Sequence, residues 1–248
     1  MRLLLLALVV MVPPLAAPAL AQTDSDATDC DHFAAHPIDP NRPTGVIGVF
    51  IDELEAALAI PACESALAQN PGHARLQFQL ARSLYKAERY PEALQFTNLA
   101  VDQGYAPAER NIGHGYYRGK ILPLDDVEAL KWFRKAAEKG HALAQHDLGK
   151  MYERGHGTAR NNAEAAKWYR KAAEQNFTLA QYSLAYMYQA GSGVPKDRVR
   201  ALMWFTIAAR LGDTYADGVR WLAGTHMAPG KIAEAERLAG EWLKARQR

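Results

Sequence analysis

The side chains of this sequence with chemistry to offer are eight histidines, two cysteines, a few serines and some paired carboxylates. A zinc site on a helix needs imidazoles three or four residues apart, so that both nitrogens reach one ion. In HALAQH, His141 and His146 are five apart across an expected helix boundary, and neither has a partner at the required spacing. Ser183 and Ser192 lie outside any G-x-S-x-G elbow, the turn that would present a nucleophile. Asp125 and Asp126 stand where a helix N-cap would put them rather than as an acid–base pair. The stretch GSGVPK from 191 has the glycines of a phosphate loop, but it lacks a preceding strand and the G-x-x-x-x-G-K spacing. We therefore expect no catalytic residue, no metal, no cofactor and no enzyme.

Charge narrows the partners. Lys and Arg exceed Asp and Glu by two, so nothing resembles the basic footprint of a nucleic-acid binder. The chain opens with Arg2, an apolar run from Leu3 to Val12, prolines at 13, 14 and 18, and Ala19-Leu20-Ala21 before Gln22. That is the layout of a cleavable secretory signal at 1–21. Ten apolar residues are too few to cross ~30 Å of hydrocarbon, and the residue at the cut is Gln22 rather than a Cys that could accept a lipid anchor, so membrane insertion is not expected. A periplasmic or secreted location is expected. Export would put Cys30 and Cys63 in an oxidising compartment, where we read one disulfide tying an irregular arm at 22–50 to a helix. Two separate buried thiols are the alternative.

The elements that must position any site repeat themselves. At a shift of 36, Ile112, Leu148 and Leu184 align. So do Tyr116, Tyr152 and Tyr188; Gly119, Gly155 and Gly191; Trp132, Trp168 and Trp204; and the pairs Ala136-Ala137, Ala172-Ala173 and Ala208-Ala209. Such a period marks a solenoid of stacked supersecondary units. Within a unit, Ala108, Ile112, Gly113 and Tyr116 form one helical stripe, and Ala129, Trp132, Phe133, Ala136, Ala137 and Gly140 form another. Asp125, Asn161 and Asp197 are placed to cap the second helix of each unit. Gly140 and Gly212 suit helix exits with φ above zero, and Asn176 tolerates the same conformation.

These motifs, as in AAKWYRKAAEQNFTLAQYSLAYMYQAGSG, resemble the Sel-1-like repeat, a relative of the tetratricopeptide repeat (TPR). LARSLYKAERYPEALQFTNLAVDQG from 80 resembles an ordinary TPR unit, with Leu80, Ala81, Ala93 and Ala100 at packing positions. Departures are Ile121 for a turn glycine, Ala185 for a helix glycine and Asn176 for an exit glycine. The resemblance implies an all-α, TPR-like/Sel-1-like helical-hairpin solenoid, an α-α superhelix. We expect TPR-like helices at 51–107, repeats at 108–143, 144–179 and 180–215, and capping helices at 216–248, the last carrying a stripe of Ile232, Ala235, Leu238, Ala239 and Trp242. The disulfide-tied arm would cap the other end and complete the array in one chain.

One stripe on the first helix of each unit does not recur. It reads Arg110, His114, Tyr117; His146, Lys150, Glu153; then Tyr182, Tyr186, Gln189, with Phe78, Arg82 and Tyr85 upstream. By resemblance to TPR arrays these residues line a concave surface, and Tyr and Arg are enriched in protein-binding hot spots. The expected function is an exported scaffold or adaptor, monomeric, a periplasmic regulator binding a protein or peptide on that face. An alternative is a cell-wall or β-lactam-binding or hydrolysing enzyme like the cysteine-rich Sel-1-like proteins. Those carry a cysteine pair in each repeat, whereas positions 108–216 have none. A structural assembly factor is a third reading that no residue separates from the first.

Overall fold

The computed structural model describes residues 28–246 apart from 38 and 40, and not the side chains of 214 and 217; the signal expected at 1–21 lies outside the described residues. Twelve α-helices and no strands make up the described chain. They are α1 (Asp29–Ala34), α2 (Ala56–Gln69), α3 (Ala74–Lys86), α4 (Tyr90–Asp102), α5 (Ala106–Arg118) and α6 (Asp126–Glu138), followed by α7 (Ala142–Arg154), α8 (Asn162–Ala173), α9 (Thr178–Ala190), α10 (Arg198–Arg210), α11 (Thr214–Gly224) and α12 (Pro229–Arg246). Pairs α3/α4, α5/α6, α7/α8 and α9/α10 pack as successive hairpins, and α11 and α12 both settle on α10.

Local chemistry sets the boundaries. Asp125, Asn161 and Asp197 accept from backbone N–H groups of α6, α8 and α10 at 2.9 to 3.0 Å, each cap contributing about 1 kcal/mol. Gly140, Gly212 and Asn176 take φ of 88°, 96° and 64°, the left-handed exit conformation expected of them. Within each hairpin the small residue of the first helix makes room for a ring of the second. A Cβ on Gly113 would lie 2.7 Å from Phe133, and one on Gly149 2.6 Å from Tyr169. Between hairpins, Trp132, Trp168 and Trp204 pack against the preceding unit, and Trp204 meets Trp242 of α12 edge-on at 5.5 Å. Ala235 and Ala239 of the expected capping stripe are fully buried.

The arm is not irregular throughout. Thr28 and Asp31 form a capping box that starts α1, and the Cys30–Cys63 disulfide joins α1 to α2. Beyond α1 the chain runs back along α3, and Val49 N–H donates to Ala35 O at 2.8 Å. Charged and amide side chains of α3 fasten it. Arg75 pairs with buried Asp31, Gln79 donates to Asp31 Oδ1 at 2.8 Å, and Tyr105, the N-cap residue of α5, donates to Asp39.

Candidate functional site

The non-recurring stripe lies on α3, α5, α7 and α9, and side chains of neighbouring helices interlock along it. Arg110 Nε donates to Asp147 Oδ2 at 2.7 Å, and His114 Nε2 lies 3.0 Å from the same oxygen. Burial alone would raise the Asp147 pKa, but the Arg110 charge and the His114 hydrogen bond outweigh it and hold the carboxyl below the usual range. Burial lowers His114 despite its bond to Asp147, so the neutral ring must carry its proton on Nε2 to donate to a carboxylate. His114 also meets Phe133 edge-on at 5.0 Å. One repeat along, His146 packs on Tyr169 and Phe177, both at 5.3 Å, and burial pushes its pKa down to about 4. Tyr117 sits between Phe133 and His156, and Glu153 accepts from Tyr169 Oη at 2.7 Å.

Three of the expected contact residues are not open surface. Phe78 and Arg82 are each 6% exposed: the Phe78 ring packs on Tyr105 at 5.6 Å, and Arg82 lies beneath the chain's own arm, donating to Ala34 O and, at 2.7 Å, to Val49 O. Tyr182 is 8% exposed and belongs to the core: its hydroxyl donates to Asp213 at 3.0 Å and its ring packs on Phe205 and Tyr215. These side chains face a neighbouring element that fills the space a partner would need. Tyr85, Arg110, His114, Tyr117, His146, Lys150 and Glu153 are half-buried, and Tyr186 and Gln189 are exposed. Asp147, which ties two stripe residues together, was missed. Its signal was a carboxylate next to His146, the residue one repeat beyond Arg110.

No catalytic constellation assembles from these groups. Ser183 Oγ comes only to 3.5 Å from His146 Nε2 and donates instead to Leu179 O at 3.0 Å, while the Asp147 carboxylate is taken by Arg110 and His114. Among the described residues no three side chains are grouped to hold a metal, and no helix is long and apolar enough to cross a membrane.

Residues 106–141, 142–177 and 178–213 each match the Sel1 repeat, and residues 51–109 match a tetratricopeptide repeat. A solved structure of a Sel1 repeat protein from Oxalobacter formigenes is 31% identical, with 73% of this chain covering 76% of that one at a TM-score of 0.60. The chain belongs to the Sel1 repeat family. A second Sel1-type structure is c5321, a protective antigen present in uropathogenic Escherichia coli strains; it is 31% identical over 77% of this chain with a TM-score of 0.66. This chain spans 41% of that protein's length. No curated protein sequence matches. Sel1 and TPR arrays are in general protein-interaction scaffolds rather than enzymes, and the face carried by α3, α5, α7 and α9 is where this array varies.

Proposed function

We propose that the chain is an exported Sel1 scaffold, a periplasmic regulator that binds a partner protein along the concave side formed by its first helices. The observation that carries this reading is the contrast within each repeat. Ile112, Leu148 and Leu184 of the first helices recur and are buried, whereas the stripe beside them changes from His114 to Lys150 to Tyr186 at one repeat position. A face that served only to pack would have no reason to vary while its neighbours stay fixed. Export is supported by the disulfide, since such bonds persist in oxidising compartments, and by the signal-like residues 1–21.

The test compares chain starting at Gln22 with a Lys150→Glu/Tyr186→Ala variant in capture from native cell-envelope extract. Tyr186 is 46% exposed and Lys150 makes no hydrogen bond or ion pair among the described residues, so the variant stays folded by circular dichroism. A partner held by the first and lost by the second supports the reading. Equal capture, or none, refutes it.

A further inference from the structure

Where the arm crosses α3, it closes one end of the first-helix face and leaves a cavity of about 340 Å³ against α5, within the size range of a specific binding pocket. The lining is electrostatically one-sided. Arg82, Arg110, Arg118 and Lys120 face it, against a single carboxylate, Asp52. Two of these cations have binding capacity to spare. Arg110 uses only Nε on Asp147, and its two terminal nitrogens make no hydrogen bond among the described residues. Arg118 is exposed and has no ion-pair partner among them. Lys120 stands over Tyr85 and Tyr90 at 5.3 and 5.0 Å, and the two tyrosines engage its ammonium. The positive field is felt inside the cavity: burial, then Arg82 and Arg110, push the His36 pKa down to about 3. Phe50, Ile51, Phe78 and Ile121 supply apolar wall beside the cations.

Guanidinium forks match carboxylates in geometry and charge, and apolar walls beside them suit a hydrophobic neighbour. We propose that this arm-capped cavity seats carboxylate side chains of an acidic, partly apolar peptide segment of the partner protein. The proposal rests on the scaffold reading above and assigns the chemistry of its partner. A nucleic acid fits less well, because the chain as a whole carries a formal charge of only +2.

The experiment is fluorescence anisotropy with full-length mature chain and a labelled octapeptide of alternating Glu and Leu, acetylated and amidated at its ends. The expected result is saturable binding that weakens with salt. It should drop at least tenfold for the Gln-for-Glu twin and for Arg118→Glu or Lys120→Glu, and stay unchanged for Lys131→Glu, exposed on α6. Equal binding of the Glu and Gln peptides overturns the proposal, as does wild-type affinity in Arg118→Glu, binding that requires a free C-terminus, or tighter binding of a labelled single-stranded oligonucleotide. Failure of the peptide while envelope capture still depends on Lys150 and Tyr186 sinks this proposal and leaves the scaffold reading standing. Specific peptide binding with no such dependence does the reverse.

Discussion

Replacing Arg82 by Met should loosen the arm without unfolding the array. Arg82 holds the arm through two hydrogen bonds from a charged donor to the carbonyls of Ala34 and Val49. Bonds of that kind are worth about 1.5–3 kcal/mol each, so their gross loss is about 3–6 kcal/mol. Burying the guanidinium has its own cost, visible as a pKa lowered to about 10, chiefly by desolvation. Met keeps the aliphatic packing and removes that cost, leaving a net loss of about 2–4 kcal/mol. The reporter is the Val49 amide, which donates to Ala35 O. At about 1.4 kcal/mol per decade, its hydrogen exchange should quicken roughly 30- to 1,000-fold. Amides of α9, remote from the arm, should exchange as before. The reasoning is refuted if Val49 exchanges at its original rate, or if α9 accelerates with it.

A second perturbation concerns the turn glycine Gly157, which has φ of 66° and whose Cβ would fall 2.2 Å from Asp126 O of the preceding repeat; Gly157→Ala should cost about 2–4 kcal/mol in urea unfolding. Gly140→Ala is its control, since φ is 88° but nothing lies within 4 Å, and a loss equal to that of Gly157→Ala would remove the steric part of the argument. Replacing Cys30 and Cys63 together by Ala, across a sequence separation of 33, should lower stability by about 4 kcal/mol, measured as a lower melting temperature than wild type in the absence of reductant; an unchanged melt would contradict it. Acid should destabilise the fold through buried neutral histidines. Burial lowers His36 to about 3 and both His141 and His146 to about 4, so the unfolded chain takes up protons near pH 6.5 that the folded chain refuses. Stability is therefore complete above pH 6.5 and falls towards pH 4. At pH 5 the loss is about 1 kcal/mol per ring after discounting for partial exposure, and a melting temperature flat between pH 7.5 and 5 would refute the assignment.

The repeat architecture was legible because its signals are local. A cap such as Asp125 or Asn161 acts on N–H groups two or three residues away, and the exits at Gly140 and Asn176 depend on their own φ. The Trp and Ala-Ala anchors recur because each hairpin presents the same surface to its neighbour. The errors fall where the deciding contact is remote in sequence. Phe78 and Arg82 occupy the same stripe as Tyr85, yet Tyr105 packs on the first and a non-periodic arm more than thirty residues upstream covers the second, while Tyr85 stays half-buried. Tyr182 is buried because Asp213 and Tyr215 at the start of the following unit close over it, a contact that the pattern of α9 alone does not encode. Asp147 carries no periodic signal because it lies one position off the stripe, beside the His146 that takes Arg110's place in the next repeat, and only the fold brings its carboxylate to the half-buried guanidinium.

The central claim is that the first-helix face is the one that meets the partner, and site-specific photo-crosslinking in intact cells tests it most directly. A photoreactive residue would be placed in turn at Tyr186 and Lys150 on the first helices and at exposed Lys131 and Lys167 on the second helices. The account predicts one discrete heavier adduct from Tyr186 and Lys150 and none from Lys131 or Lys167. Adducts from the second-helix positions alone, or from none of the four, would contradict it.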